Sequence, residues 1–180
     1  MIKIPHDIVD HTVHDSEAPP PVEALLKDLS STNGEARSVA RRRLLRYGSA
    51  VANSLISLLS SGQPQTRWEA AKALGQIRTG TAAEALALAL ADEHRDVRWV
   101  AADGLIAMGE DAIVPLLEEL IDHADSVWVR SAASHVLSEM LPQHTILKPV
   151  VVALNGSAPM FEVPVAAFEV MRALRYPPHR

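Results

Sequence analysis

The chain has 180 residues and a formal net charge of −5, which argues against a general polyanion-binding domain because such domains usually carry a basic excess. It contains no cysteine, which excludes disulfides, thiolate nucleophiles and cysteine-ligated metals. Aromatic residues are only 4% of the sequence, so the core has to be aliphatic, which favours packed helices. No signal peptide or apolar run of membrane-spanning length is apparent, so we expect a cytoplasmic protein.

The first segment, residues 1–21, is predicted to be an N-terminal arm or flexible tail because it closes with three consecutive prolines at 19–21. His6, Asp10 and His14 would share one face if the segment were helical, which is a spacing that could gather a metal. The β-branched residues and the prolines disfavour such a rigid site, so no metal or other cofactor is predicted. Whether the arm binds a metal or a partner stays open.

From Val22 onward the sequence repeats. Arg67-Trp68-Glu69-Ala70-Ala71-Lys72-Ala73-Leu74 returns 31 residues later as Arg98-Trp99-Val100-Ala101-Ala102-Asp103-Gly104-Leu105. Positions equivalent to Arg67 recur with separations of 30, 31, 32 and 34 residues, at Arg37, Arg67, Arg98, Arg130 and Pro164. Alanine follows three places later and Leu or Met seven places later in every repeat, which is one face of a helix. A repeat of this length predicts a stacked helical array.

A second helix precedes each of these. Its ladders are Leu25, Leu55, Leu86 and Leu117, and then Leu29, Leu59, Leu90 and Ile121. We predict five antiparallel helix pairs in residues 22–176, with repeats at about 22–48, 49–79, 80–109, 110–141 and 142–176 and a tail at 177–180. Thr66 with Glu69 predicts a capping box, and Asp96 is predicted to cap the next inner helix.

The phrase from Asp96 to Leu105, with its Val-Arg-x-x-Ala core, resembles the HEAT repeat, and more narrowly the short bacterial subtype also found in phycobilin lyases. The matching phrases are 66–74 and 129–137, whereas 36–44 and 163–171 are degenerate. The resemblance implies an all-α, right-handed α–α superhelix. It also implies that the second helix of each pair, including the one around Pro164, lines the concave face.

The recurrent arginines are predicted to hold the stack in register. A guanidinium at this place can bridge to an acidic or carbonyl group of the adjacent repeat. The predicted inter-repeat ladder consists of Arg67, Arg98, Arg130 and Asp96.

Three tryptophans are the candidate binding residues. Trp68 and Trp99 follow the ladder arginine and point away from the apolar stripe, and Trp128 projects similarly at the start of the fourth inner helix. Exposed tryptophans are frequent interface hot spots, although superhelical curvature could instead bury these rings against loops. The same outward side carries mixed polar groups that suit a protein surface, namely Arg42, Lys72, Asp103 and His135.

These features predict a non-catalytic scaffold that docks a protein or peptide segment on its concave face, with the tryptophans as anchors. No His-Glu dipeptide, HExxH motif, phosphate-binding loop or nucleophile elbow is present, so no enzyme activity is predicted. The alternatives are a phycobilin-lyase-like chromophore-handling protein and a HEAT-type nucleic-acid binder, which the negative charge disfavours. The sequence leaves the partner's identity, the pathway and the oligomeric state open.

Overall fold

The computed structural model describes residues 21–175, in which helices are joined by short turns and no strand is present. The predicted N-terminal arm, apart from Pro21, and the predicted tail lie outside the described residues. Within the range, five helix pairs follow one another: α1 (Val22–Asp28) and α2 (Gly34–Leu44), α3 (Ala52–Leu58) and α4 (Pro64–Ile77), α5 (Gly80–Leu88) and α6 (Arg95–Met108), α7 (Ile113–Asp122) and α8 (Val127–Met140), α9 (Lys148–Leu154) and α10 (Pro159–Arg175). None of these helices is long and apolar enough to cross a membrane.

The repeated alanines and leucines form the core, as the periodicity predicts. The five alanines three places after the ladder position are all buried: Ala40, Ala70, Ala101, Ala133 and Ala167. The leucines seven places after it are buried in α2, α4, α6 and α8. Small and branched aliphatic side chains in register let consecutive pairs pack closely around a continuous core. The all-α array of stacked helix pairs predicted from the sequence is therefore confirmed.

Each ladder arginine anchors its helix to the turn that precedes it. The Nη1 atoms of Arg37, Arg67 and Arg98 donate hydrogen bonds to the carbonyl oxygens of Ser31, Ser61 and Asp92, each six residues earlier, at 2.8, 2.8 and 2.6 Å. Arg130 donates in the same way to the carbonyl of Ala124. A charged donor satisfies a turn carbonyl that the helix leaves without a partner, so the recurrent arginine fixes the angle within each helix pair.

Two glycines allow α4 and α6 to touch at the backbone. A Cβ atom added at Gly75 would lie 2.7 Å from the Cα of Gly104, and one added at Gly104 would lie 2.9 Å from a methyl carbon of Leu86. Only glycine permits this approach without displacing a helix. The contact sets the distance between the second and third repeats.

The last repeat departs from the predicted layering. α10 packs against α7 and α9, whereas α8 has α6, α7 and α9 as its neighbours. The prediction that the helix around Pro164 continues the layer of α2, α4, α6 and α8 is therefore wrong. Its apolar register is nevertheless kept, since Val163, Ala167 and Val170 face the core. Pro164 stands in place of the ladder arginine in this helix, so no guanidinium at this position ties it to the turn before it.

Two predicted helix caps are also corrected. α4 begins at Pro64 after Gln63, and Thr66 is buried, with its hydroxyl 3.1 Å from that of Ser30. Proline suits the first helical turn because it has no N–H to leave unpaired. α6 begins at Arg95 after His94, so Asp96 lies inside its first turn, where a carboxylate favours the positive end of the helix dipole without capping it.

Candidate functional site

An open cleft lies between α6 and the first half of α8. It encloses about 240 Å³ and is lined by Arg95, Arg98, Trp99, Ala102, Val127, Trp128, Ser131, Ala132 and His135. Its α6 wall follows from helical spacing, since residues four and seven places after Arg95 lie on one face. Its α8 wall likewise carries Trp128, Ala132 and His135 about one turn apart. The lining contains two arginines and one histidine and no carboxylate.

Trp99 and His135 form the contact that joins the two walls. Their ring centroids lie 4.7 Å apart and the ring planes differ by 14°, which is a stacked arrangement. Stacking of this kind contributes about 0.5–1.5 kcal/mol beyond the buried area. Because Trp99 is still 53% exposed, one part of the indole holds the walls together while the rest faces the cleft.

Trp128, on the α8 wall, is contacted by Arg98 of the α6 wall. The guanidinium carbon of Arg98 lies 4.8 Å from the centroid of the Trp128 ring, within the range of a cation–π interaction. The ring is 49% exposed. The cleft therefore presents two indoles, one from each wall, that are orientated by neighbouring groups and still accessible.

Trp68 belongs to a different environment. It is half-buried, packs on the core, and has the Lys72 amine 4.8 Å and the Arg41 guanidinium 5.7 Å from its ring centroid. It does not line the cleft. The sequence predicted that all three tryptophans point outward in a similar direction, but the structure brings Trp99 and Trp128 together and places two cations over Trp68.

The remaining predicted orientation residues are divided in the same way. His135 lines the cleft and Lys72 lies on Trp68. Arg42 is exposed on α2, where its Nη1 donates to the Ser38 hydroxyl at 2.7 Å. Asp103 is exposed on α6 two turns beyond Arg95 and does not line the cleft. Neither Arg42 nor Asp103 therefore lines the cleft that holds the two exposed indoles.

The ladder joins the first three repeats through ion pairs. The Nε atom of Arg37 lies 3.3 Å from Oε1 of Glu69, and the other oxygen of that buried carboxylate pairs with Arg41. Arg67 binds Asp92 through two hydrogen bonds, of 2.6 and 3.0 Å, and Glu93 through a third, of 3.1 Å. The partner of Arg67 is therefore Asp92. The prediction of Asp96 as the ladder acid is wrong, since no ion pair joins Asp96 to another residue in 21–175.

The Arg67–Asp92 pair is largely shielded from water. Burial alone would raise the pKa of Asp92, but hydrogen bonds from the Arg67 guanidinium and the His94 amide outweigh burial and lower it below its ordinary value. The hydrogen bond to Asp92, with a smaller contribution from Glu93, raises the pKa of Arg67 although burial acts to lower it. Both groups are therefore charged at neutral pH, so a shielded ion pair links the second and third repeats.

Arg98 and Arg130 have carbonyl acceptors but no carboxylate partner among residues 21–175. Arg98 donates through Nη1 to the carbonyls of Asp92 and Glu93, at 2.6 and 3.1 Å, and contacts an aromatic ring of the next repeat. The predicted ladder thus changes character at the third repeat, from ion pairs to a cation–π contact.

Sequence reasoning missed the contribution of Arg95 to the cleft. It is exposed, and no described residue hydrogen-bonds to it or pairs with it. The available signal was its spacing, because Arg95 precedes Trp99 by four residues and therefore lies on the same helical face. Sequence reasoning also missed a separate apolar stripe on α10, where Phe161 and Phe168 are 68% and 59% exposed.

The described residues contain no group of three His, Asp or Glu side chains that could hold a metal ion. The His- and Asp-rich segment considered as a metal site lies outside them.

Comparison with protein families identifies the repeat. A family model described as HEAT repeats matches residues 22–93 and 82–153. The two matches together cover more than half of the chain and end just before α10, the helix that leaves the regular layering. Comparison with individually curated proteins gave no match. HEAT repeats in general mediate protein–protein interaction and scaffolding. The chain belongs to the HEAT-repeat family.

Proposed function

We propose that this chain is a non-catalytic protein-interaction module that docks a segment of a partner protein on the surface formed by α4, α6 and α8. In a HEAT superhelix this layer corresponds to the concave face. The single observation that carries the proposal is the cleft with two half-exposed indoles, one from each of two consecutive repeats.

Two physical features support a binding role for these rings. Tryptophan gives a large contact area at a small cost in side-chain entropy, and it is enriched among interface hot spots. Both rings are also held in place, by stacking on His135 and by the Arg98 guanidinium. A surface already ordered before binding loses less entropy when a partner docks.

The experiment is a binding comparison between three proteins. The double variant Trp99→Ala/Trp128→Ala removes both indoles, and Phe168→Ala removes an aromatic ring of similar exposure outside the cleft. Proteins captured from an extract of the native host are identified for each variant, and candidates are then tested as purified proteins. We expect a partner that binds the wild type and Phe168→Ala but is lost with the double variant. Equal binding to all three would reject the proposal.

Trp68 is left intact in this experiment because it packs on the core, and its removal would confuse loss of binding with loss of stability. We assign Trp68 and Lys72 to the edge of the docking surface, together with Arg42 and Asp103. The narrower resemblance to phycobilin-lyase repeats stays a hypothesis. An absorbance change on mixing the chain with a bilin would test it.

A further inference from the structure

We propose that the cleft between α6 and α8 binds an acidic segment of the partner: a carboxylate pairs with Arg95 and Arg98, and an adjacent apolar side chain packs on Trp99 and Trp128. This inference rests on the proposed function and names the chemistry of the docked segment. It comes from comparing the three junctions between repeats that the ladder arginines span.

At the first two junctions the chain supplies the carboxylate itself. Glu69, two places after the ladder arginine of α4, pairs with Arg37 at 3.3 Å. Asp92, six places before the ladder arginine of α6, pairs with Arg67 at 2.6 Å. Besides Glu93, five places before the ladder arginine of α6, which adds a further bond to Arg67 at 3.1 Å, the acid comes from one of two positions in the following repeat.

At the third junction both of these positions hold alanine. Ala132 stands two places after Arg130, in register with Glu69, and Ala124 stands six places before it, in register with Asp92. Asp125 stands in register with Glu93 but forms no ion pair with a residue in 21–175, so Arg98 has no carboxylate partner from the fourth repeat. Ala132 is also part of the cleft lining, so the position left without an acid opens directly onto the cleft.

The charges around the cleft favour an anionic group at one end of it. Arg95 and Arg98 line the cleft, and the lining has no acidic side chain to compete for them. Arginine binds carboxylates with paired, directional hydrogen bonds. Asp103 lies about 12 Å further along α6, from a rise of about 1.5 Å per residue, and repels an acid there. The carboxylate is therefore directed to the Arg95 end.

The apolar side chain of the docked segment packs on the exposed indole rings. Trp99, Trp128 and Val127 lie beside the two arginines, and all three are substantially exposed. A phosphate backbone would not use this apolar area, and the net charge of −5 opposes a polyanion. A segment with an acidic residue next to Leu, Phe or Trp satisfies both halves of the cleft.

The first test asks whether the isolated chain, with no partner present, gains stability from a carboxylate at the third junction. Ala132→Glu places a carboxylate in register with Glu69, and Ala132→Gln is a neutral control of nearly the same size. At neutral pH and low salt we expect Ala132→Glu to have the higher Tm. The difference in Tm between the two variants should shrink near 1 M salt, where the Debye length is about 3 Å. It should also shrink in an Arg95→Gln background, because one of the two cations that the new carboxylate contacts is then missing. Equal Tm values for the two variants would overturn the inference.

The ligand class is tested with a random-peptide library selected on the wild-type chain. We expect enriched peptides to carry Asp or Glu beside an apolar residue. In fluorescence anisotropy they should bind Ala132→Glu about tenfold more weakly than Ala132→Gln, which corresponds to about 1.4 kcal/mol, because the internal carboxylate occupies the arginines and repels the peptide. Binding to Phe168→Ala should be unchanged.

The contrary results separate the two proposals. Peptides that require Trp99 but contain no acid, or that do not distinguish Ala132→Glu from Ala132→Gln, would overturn the acidic-segment inference and leave the proposed function standing. Failure to select any peptide that requires Trp99 or Trp128 would overturn both. Binding of a single-stranded oligonucleotide or a bilin that requires Arg95, with no such peptide, would assign the cleft to another ligand class and also overturn both.

Discussion

Arg67 reaches from the second repeat to Asp92 of the third, with Nε 2.6 Å from Oδ2 and Nη2 3.0 Å from Oδ1. The same guanidinium donates to the Ser61 carbonyl of its own repeat. One side chain thus fixes the angle within a helix pair and the stacking of that pair on the next. The two exposed indoles belong to the third and fourth repeats, and that junction is joined instead by the Trp99–His135 stack and the Arg98–Trp128 contact.

Removing the carboxylate of Asp92 should destabilise the chain in a pH-dependent way. Asp92→Asn is expected to lower the free energy of unfolding at neutral pH by about 1.5–3 kcal/mol, the range for hydrogen bonds to charged groups. The pKa of Asp92 is lower in the folded chain than its ordinary value of 3.8, so its stabilisation is present above that value and is lost as the pH falls through the folded pKa. Denaturant unfolding of both proteins from neutral pH to about pH 3 measures this. A constant difference across that range would contradict it.

Glu119 should show the opposite dependence. Burial raises its pKa above the ordinary value of 4.5, although His123, with Nδ1 3.1 Å from Oε1, acts to lower it. A raised pKa means that stability is complete below the unfolded value and decreases as the pH rises through the folded value. Glu119→Gln is therefore expected to gain about 1 kcal/mol at neutral pH, the usual scale for a buried polar group. The gain should disappear below about pH 4. A variant less stable than the wild type at neutral pH would refute this.

The glycine contact between α4 and α6 should not tolerate a methyl group. Gly75→Ala places Cβ 2.7 Å from the Gly104 backbone, and such overpacking typically costs about 1–3 kcal/mol. That exceeds the gain of about 1 kcal/mol that alanine usually brings inside a helix. Gly80→Ala, where a Cβ meets nothing within 4 Å, is the matched control and should not lower the Tm. Equal Tm values for the two variants would show that the helices separate freely.

The three tryptophans should differ in what they contribute to stability. Trp68→Ala removes a ring that packs on the core and should cost about 2 kcal/mol or more, within the range for losing a partly buried aromatic residue. Trp99→Ala and Trp128→Ala should each cost about 1 kcal/mol, the scale of a stacking or cation–π contact. Thermal unfolding of the single variants tests this order. Equal losses for all three would contradict the distinct environments.

Much of the fold could be predicted because the same short sequence pattern recurs in each repeat. An alanine and a leucine at fixed offsets from an arginine place one apolar stripe on every helix, and these residues are buried. The contact between Gly75 and Gly104 could not be predicted in this way. Gly75 lies eight places after Arg67 and Gly104 six places after Arg98, so the repeat register does not align them, and only the helix crossing brings them together.

The candidate site was predictable in part for a related reason. Trp68 and Trp99 occupy the same place in the repeat, but their neighbours differ. Lys72 and Arg41 cover the first ring, whereas the second stacks on His135 and stays open. Exposure therefore depends partly on the residue four places later, Lys72 after Trp68 and Asp103 after Trp99, and partly on side chains one repeat away, which a single repeat does not encode. The displacement of α10 is likewise a property of the end of the array.

The most direct test of the docking surface is a ¹H–¹⁵N NMR titration that follows the tryptophan indole signals. The chain has three tryptophans, so three indole N–H signals report on the covered ring and the two exposed rings, and single-residue variants assign them. On addition of a peptide selected by the wild type, the signals of Trp99 and Trp128 should shift together with saturation while that of Trp68 changes little. A peptide that binds with saturation and leaves the Trp99 and Trp128 signals in place would contradict the account.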